Sequence, residues 1–198
     1  MALALCLAAV LPTPLAASAT LPGGPAKLAA TQTVQQGSGP YAITPERRAL
    51  LETIRFAEGT WKDGRPEGYR VLYGGGLFAS LARHPEITVR RRYTSAAAGA
   101  YQFLPGTWHE VSRRLRLRSF EPHNQDQAAL HLIQRRRALQ LFDQQGLGTE
   151  VMARLAPEWA SLPARHGGSY YGQPVKSRYE LLNFYRIALV RARQSAAT

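Results

Sequence analysis

Apolar residues recur at the spacing of an α-helix in the segment that follows residue 44. Leu51, Ile54 and Ala57 stand three positions apart, which predicts one apolar stripe along a helix. Thr44-Pro45-Glu46 is typical of the start of this helix, because it combines a capping hydroxyl, a proline at the first position and an acid in the first turn. Gly59 indicates where the helix ends.

The pattern changes after this helix. Residues 61–94 are rich in glycine and contain two short β-prone runs, residues 69–73 and 87–89, which predict a small, irregular sheet with long loops. From Pro105 onward the pattern is helical again. It predicts further helices over residues 105–117, 122–145 with a break near Arg137, 149–156 and 174–194. We therefore expect an α+β fold that is mostly α.

The amino-terminal residues 1–19 predict a secretory signal peptide. Their apolar run is interrupted by prolines well short of a membrane-spanning length, and Ala17-Ser18-Ala19 fits the small-x-small cleavage pattern. No Lys or Arg precedes the run, so a membrane-anchoring apolar tail is the alternative. Residues 20–43 are rich in Pro, Gly, Gln, Ala and Thr and predict a flexible linker, which leaves residues 44–198 as the folded domain. The mature protein is then expected in the periplasm or outside the cell, with no membrane span.

Charge and cysteine content limit the chemistry. The chain has 25 Lys and Arg against 13 Asp and Glu, a formal net charge of +12, so it will be attracted to polyanions. Its one cysteine, Cys6, lies in the predicted signal peptide, and a mature chain without thiols excludes disulfides, cysteine nucleophiles and cysteine-ligated zinc. The five histidines form no HExxH or close ligand pair. We expect neither a metal nor a cofactor.

Glu58 is the candidate for catalysis. It follows Ile54 by four positions and Leu51 by seven, so it continues the apolar stripe of the first helix. Apolar neighbours desolvate a carboxylate and raise its pKa, and a glutamic acid that stays protonated near neutral pH suits glycoside cleavage. From the spacing alone, a helix-end glutamate that turns to solvent or pairs with an arginine is the alternative.

The motifs around Glu58 resemble, in content and order, those of the lambda-type phage lysozymes, the endolysins. The resemblance covers roughly residues 46–187. The motifs that carry it are Ala57–Thr60, Gly68-Tyr69, Gly74-Gly75, Leu77-Phe78, His84-Pro85, Ala98–Phe103, Trp108, Phe120-x-Pro122, Gln125-Asp126, Ala129-Leu130, Trp159–Pro163 and Tyr171–Gln173.

This resemblance implies a lysozyme-like fold, in which a helical lobe and a small β lobe flank a substrate groove. It also implies a monomeric lytic transglycosylase that acts on peptidoglycan glycan strands and has no nucleic-acid partner. Such enzymes cut the bond from N-acetylmuramic acid to N-acetylglucosamine and leave a 1,6-anhydro ring. The catalytic glutamate of the family falls on Glu58, and its substrate-binding positions fall on Tyr101, Gln102, Tyr171 and Gln173.

The chain departs from the family pattern in two places. Ala100 stands where family members often have arginine, so an arginine contact to substrate is lost or supplied elsewhere. The stretch 164–170 is longer than usual, which makes the match at Tyr171 and Gln173 less direct than the match at Glu58.

Two other functions remain open from the sequence. A hydrolytic muramidase on the same fold needs a second carboxylate, which Asp63 or Glu67 could supply. A noncatalytic basic protein that binds the wall or nucleic acid would rely on the positive charge, although the sequence has no zinc-finger, RNP or helix-turn-helix pattern.

Overall fold

The structure, a computed structural model, describes residues 39–198. The predicted signal peptide, its cleavage site and the predicted linker as far as residue 38 lie outside the described residues. Within the described range, no helix combines the length and the hydropathy of a membrane span.

Six α-helices, two 3-10 helices and one antiparallel pair of short strands form the described chain. The α-helices are α1 (Pro45–Ala57), α2 (Pro105–Leu115), α3 (Pro122–Arg135), α4 (Leu139–Gln145), α5 (Thr149–Leu155) and α6 (Arg178–Ala196). The 3-10 helices are Lys62–Gly64 and Pro66–Arg70, and the strands are β1 (Val89–Arg90) and β2 (Thr94–Ser95).

Helix α1 forms as its sequence predicts and packs along α6. Thr44 caps it, because its hydroxyl accepts a hydrogen bond from the backbone N–H of Arg47. Leu51 and Ile54 of the apolar stripe are buried in the core, and Ala57 is partly buried against it. Phe56 stacks on Phe184 of α6 with ring centroids 4.2 Å apart. Each fully buried leucine of the stripe contributes about 1.5–3 kcal/mol of transfer free energy, so the packing of α1 fixes the position of the residue that follows it.

The β lobe is small and irregular, as predicted, but the run 69–73 is not a strand. Its first residues belong to the 3-10 helix Pro66–Arg70, because the Tyr69 side chain is buried in the core. Val71 and Leu72 then make only single bridges, to Leu77 and Ala98. Gly74, with φ of 81°, turns the chain back at once and prevents a longer ladder.

Most of the predicted helical segments are confirmed, with shifts at their ends. The expected break near Arg137 is present, since α3 ends at Arg135 and Arg137 adopts a φ of 55°. Helix α6 begins later than predicted, at Arg178. The reason is a capping box, in which Ser177 accepts from the N–H of Glu180 and the Glu180 carboxylate accepts from the N–H of Ser177.

The last residues of the predicted linker, 39–43, pack on the domain. The N–H of Tyr41 donates to Gln127 Oε1 at 2.9 Å, and Gln127 Nε2 donates back to the Tyr41 carbonyl at 2.9 Å. The Tyr41 hydroxyl also lies 2.9 Å from His131 Nδ1. The buried amide of Gln127 needs both partners, so these two hydrogen bonds hold the backbone of Tyr41 against α3.

Candidate active site

Glu58 is the first residue after α1 and is only partly exposed. Its backbone N–H donates to the carbonyl of Ile54 at 2.9 Å, which continues the helical hydrogen bonding by one residue. Ser161 Oγ donates to Glu58 Oε1 at 2.5 Å. Burial raises the pKa of Glu58 to about 7, and the hydrogen bond from Ser161 lowers it in part. The raised pKa allows the carboxyl group to hold a proton near neutral pH.

Thr60 ties the segment after Glu58 to the turn formed by residues 98–103. Its hydroxyl, which is buried, lies 2.5 Å from the carbonyl of Ala100 and 3.2 Å from that of Arg55. The turn is closed by two backbone hydrogen bonds between Ala98 and Phe103, at 3.0 and 2.8 Å. Position 100 is occupied by an alanine whose side chain is fully buried. It therefore presents no charged group to a ligand.

Tyr101, a substrate-binding position implied by the family resemblance, is buried in this structure and presents no exposed ring to a sugar. The residue is 1% exposed, and its hydroxyl donates to Asp126 Oδ1 at 2.5 Å. Tyr69 donates to the same oxygen at 2.9 Å, and Arg48 binds the other oxygen at 2.6 Å. Tyr101 belongs to a buried network that joins α1, α3 and the β lobe.

Gln102 lies beside Tyr101 in a left-handed backbone conformation, with φ of 48°. Its Nε2 donates to the carbonyls of Val71 at 3.1 Å and Gly99 at 3.0 Å. The side chain is half-buried, and its amide oxygen accepts no hydrogen bond from any residue in the range 39–198. That oxygen is available to a hydroxyl or amide group of a ligand.

The segment that carries Ser161 is anchored to the same turn. Trp159 is 2% exposed, and its Nε1 donates to the backbone carbonyl of Tyr101 at 3.1 Å. The end of α1, the 98–103 turn and the Trp159–Ser161 segment therefore meet at Glu58. In the sequence, Ser161 belongs to the motif Trp159–Pro163, and its spacing of 103 residues from Glu58 contains no periodic signal.

Tyr171 and Gln173 lie in the loop between Ser161 and α6, and both are exposed. The Tyr171 hydroxyl donates to the carbonyl of Pro157 at 3.0 Å, and the Gln173 N–H donates to Ser169 Oγ at 2.9 Å. The N–H of Lys176, further along this loop, donates to the Ser161 carbonyl at 3.3 Å. The loop is thus attached to the site, but neither predicted side chain is hydrogen-bonded to Glu58.

The two candidate second carboxylates lie outside this arrangement. The Asp63 side chain is 91% exposed and its nearest cation is Arg65, at 4.0 Å; Glu67 is also exposed. Asp63 lines a separate cavity of about 1070 Å³ between residues 39–45, α1 and the end of α6, whose lining does not include Glu58. No charged neighbour contributes to the raised pKa of Glu58. Across residues 39–198, no three His, Cys, Asp or Glu side chains cluster closely enough to hold a metal ion.

Known endolysins are similar to this chain in sequence. The endolysin family model matches residues 48–191. The endolysin of Escherichia phage lambda is 36% identical over 137 residues, which cover 66% of this chain and 83% of the relative. The endolysin of Escherichia phage P2 is 31% identical over 154 residues, which cover 71% of this chain and 90% of the relative.

Two solved structures of lambda lysozyme are similar to this chain in fold. Bacteriophage lambda lysozyme complexed with a chitohexasaccharide superposes with a TM-score of 0.66 at 33% identity, over 75% of this chain and 96% of that one. A second structure of lambda lysozyme gives a TM-score of 0.60 at 29% identity, over 78% of this chain and 96% of that one. The predicted lysozyme-like fold is confirmed, and the chain belongs to the endolysin family.

Proposed function

We propose that this endolysin is a peptidoglycan lytic transglycosylase in which Glu58 acts first as acid and then as base. The observation that carries the proposal is the setting of Glu58: a buried carboxyl group with a pKa near 7, one hydrogen-bond donor, and no charged neighbour that shifts its pKa. The substrate is the glycan strand of the bacterial wall.

In the first step, protonated Glu58 donates its proton to the oxygen that links N-acetylmuramic acid to N-acetylglucosamine. The bond between this oxygen and C1 of the muramic residue breaks, and positive charge develops on the sugar ring. A general acid works best when its pKa lies near the operating pH. The pKa of about 7 meets that condition, and Ser161 stabilises the carboxylate that forms.

In the second step, the C6 hydroxyl of the same muramic residue attacks C1 and Glu58 accepts the hydroxyl proton. A C1–O6 bond forms, the 1,6-anhydro ring closes, and Glu58 returns to its protonated form without consuming water. An intramolecular nucleophile replaces a second carboxylate, because its effective concentration is high. This agrees with the exposed positions of Asp63 and Glu67.

Sugar contacts are proposed for Gln102, Tyr171 and Gln173. Gln102 offers an unpaired amide oxygen beside the turn that Thr60 holds. Tyr171 is 58% exposed and so can stack on a sugar ring. The binding of chitohexasaccharide by the related lambda lysozyme supports an amino-sugar oligomer as the ligand class.

Action on the wall requires passage across the inner membrane, and we propose that the predicted signal peptide, residues 1–19, provides it. The enzyme is proposed to act as a monomer. The net charge of +12 would then strengthen contact with anionic wall polymers, rather than define a separate binding function.

The hydrolytic alternative is tested by product analysis. Purified peptidoglycan is digested with the wild type and with Glu58→Gln, Asp63→Ala and Glu67→Ala, and the fragments are weighed by mass spectrometry. We expect products with anhydro ends, lighter by one water than those of a hydrolase, from all forms except Glu58→Gln. Glu52→Gln, which changes a partly buried carboxylate of α1, the helix that Glu58 follows, is the matched control and should remain active.

Two outcomes would contradict the proposal in different ways. Hydrated products, together with a folded but inactive Asp63→Ala or Glu67→Ala, would show a muramidase that uses that second carboxylate. A wild type that binds peptidoglycan but releases no fragments would show a noncatalytic wall-binding protein.

A further inference from the structure

The loop that follows Ser161 folds into a small hairpin, residues 163–169. Ala164 and Gly168 are joined by a backbone hydrogen bond of 2.8 Å, and Pro163 pairs with Ser169 across the hairpin. Arg178, in the first turn of α6, donates to the carbonyls of Ala164 and Arg165. The hairpin is therefore fastened at its base to a long helix, although it belongs to the stretch that is longer here than in the family pattern.

A cavity of about 410 Å³ lies between this hairpin and α5. Two alanines line it together with Tyr170, Arg154, Arg165, His166 and Glu150. Its volume falls within the range of small-ligand sites. The lining combines an aromatic ring with several nitrogen donors, which is the composition expected of a site for an organic anion.

The charges in the cavity do not cancel. Arg154 Nε lies 3.0 Å from Glu150 Oε1, and Arg165 Nη2 lies 2.5 Å from Glu150 Oε2. Two guanidinium groups thus share a single carboxylate, which leaves one net positive charge. Each guanidinium has five N–H donors, and the Arg165 side chain is 76% exposed. Donors that Glu150 does not use can bind a second carboxylate in a bidentate manner.

The cavity adjoins the proposed path of the glycan. The Tyr170 ring is 55% exposed and meets the ring of Tyr171 edge to face, with centroids 4.8 Å apart. Tyr171 is one of the proposed sugar contacts. The chain from Ser161 to Arg165 is four residue steps long and spans at most about 14 Å, so the backbone of Arg165 lies no further than that from the residue that is hydrogen-bonded to Glu58.

We infer that this cavity binds a carboxylate of the acidic peptide stem that branches from the muramic residues of the glycan strand. The inference rests on the proposed function, because only a peptidoglycan substrate carries such stems. A stem of about four residues extends about 13 Å from its sugar, which is comparable with the upper limit on the backbone distance from Ser161 to Arg165. The sugars themselves are neutral amides and alcohols, and they give no reason for paired guanidinium groups beside an exposed tyrosine.

The test compares two substrates, intact peptidoglycan and glycan strands whose stems have been removed by an amidase. Arg165→Gln and Tyr170→Ala should each raise KM on intact peptidoglycan roughly tenfold, and should leave kcat/KM on the stripped strands within about twofold. Glu150→Gln, which removes the competing carboxylate, should lower KM on intact peptidoglycan. Arg118→Gln and Tyr179→Ala change exposed side chains of the same types away from the cavity and should alter neither substrate.

Equal losses on both substrates, or no loss on intact peptidoglycan, would overturn the inference. If the wild type cleaves neither substrate, the proposed function fails, and the cavity is then tested alone by calorimetric titration with a free stem tetrapeptide. Binding that Arg165→Gln abolishes and Glu150→Gln strengthens would support the cavity. Absence of binding, or binding that is insensitive to both substitutions, would refute it.

Discussion

Ser161 Oγ donates a hydrogen bond of 2.5 Å to Glu58 Oε1, although the two residues are 103 positions apart in the chain. The hydroxyl stabilises the ionised form of a carboxyl group whose pKa burial otherwise raises. Ser161 thereby sets the balance between the acid and the base functions of Glu58. This relationship leads to a prediction about pH dependence.

Ser161→Ala should raise the pKa of Glu58 above its present value of about 7, because burial would then act without the opposing hydrogen bond. The acid form would persist to higher pH, so the alkaline limb of the kcat/KM profile should move upward. At pH 7 the rate should fall by roughly ten- to a hundredfold, since the carboxylate formed during catalysis loses its donor. Ser112→Ala, at an exposed hydroxyl of α2, is the control. An alkaline limb that moves downward would contradict the assignment.

Glu58→Gln should make the folded protein more stable at alkaline pH while abolishing cleavage. Burial raises the pKa of Glu58 in the folded protein. As pH rises, the unfolded chain therefore loses this proton first, and the free energy of unfolding falls until about pH 7. Above that pH the full cost of the buried charge is present, at most about 3 kcal/mol. Urea unfolding at pH 4 and pH 8 should show a gain for the variant only at pH 8. A gain of equal size at both values would argue against a buried, titrating carboxyl group.

The burial of Glu58 could be predicted from sequence because its signal is local. The stripe that contains Leu51 and Ile54 determines which face of α1 is buried, and Glu58 continues that face by one position beyond the helix. Ser161 carries no such signal, since its partner is distant in the chain. The same limit applies to the burial of Tyr101: motif order places the residue near the site, but its hydroxyl is bonded to Asp126, which lies 25 positions later.

Tyr101→Phe should therefore lower stability and leave glycan affinity nearly unchanged. The buried Asp126 carboxylate would lose one of its donors, which costs about 1–3 kcal/mol in the free energy of unfolding. KM for peptidoglycan should change less than about twofold. Gln102→Asn, which keeps a residue tolerant of positive φ but shortens the amide, should instead raise KM with little loss of stability. The reverse pattern would return Tyr101 to the list of sugar contacts.

The type of each helix or strand could be predicted from the sequence more accurately than its ends or the elements that it packs against. Helices α2, α3, α4 and α5 follow apolar periodicity, whereas the start of α6 depends on which of several polar residues forms the cap. The β-prone run that begins at Tyr69 failed as a strand because a core hydrogen bond to Asp126 outweighed its local preference. Local pattern thus determined the helical lobe, and long-range packing determined the β lobe.

The last prediction concerns Gly68, which lies between the buried Arg55 side chain and the backbone of Thr60. The Arg55 guanidinium sits over the ring of Tyr69 at 4.3 Å and near that of Trp61 at 5.2 Å. A Cβ atom on Gly68 would come within 2.2 Å of the Thr60 carbonyl oxygen and 2.5 Å of Arg55 Nη2. The backbone of Thr60 cannot retreat freely, because its hydroxyl holds the carbonyl of Ala100.

Gly68→Ala should consequently reduce both stability and activity, although it touches no substrate. We expect a loss of about 2–4 kcal/mol in the free energy of unfolding and a fall in kcat larger than any rise in KM, since the displaced Thr60 segment begins two residues after Glu58. Gly106→Ala is the control. No atom lies within 4 Å of its added Cβ, so in the first turn of α2 alanine should raise the free energy of unfolding by up to about 1 kcal/mol. A Gly68→Ala protein with wild-type stability and kcat would show that Thr60 does not hold the catalytic segment in place.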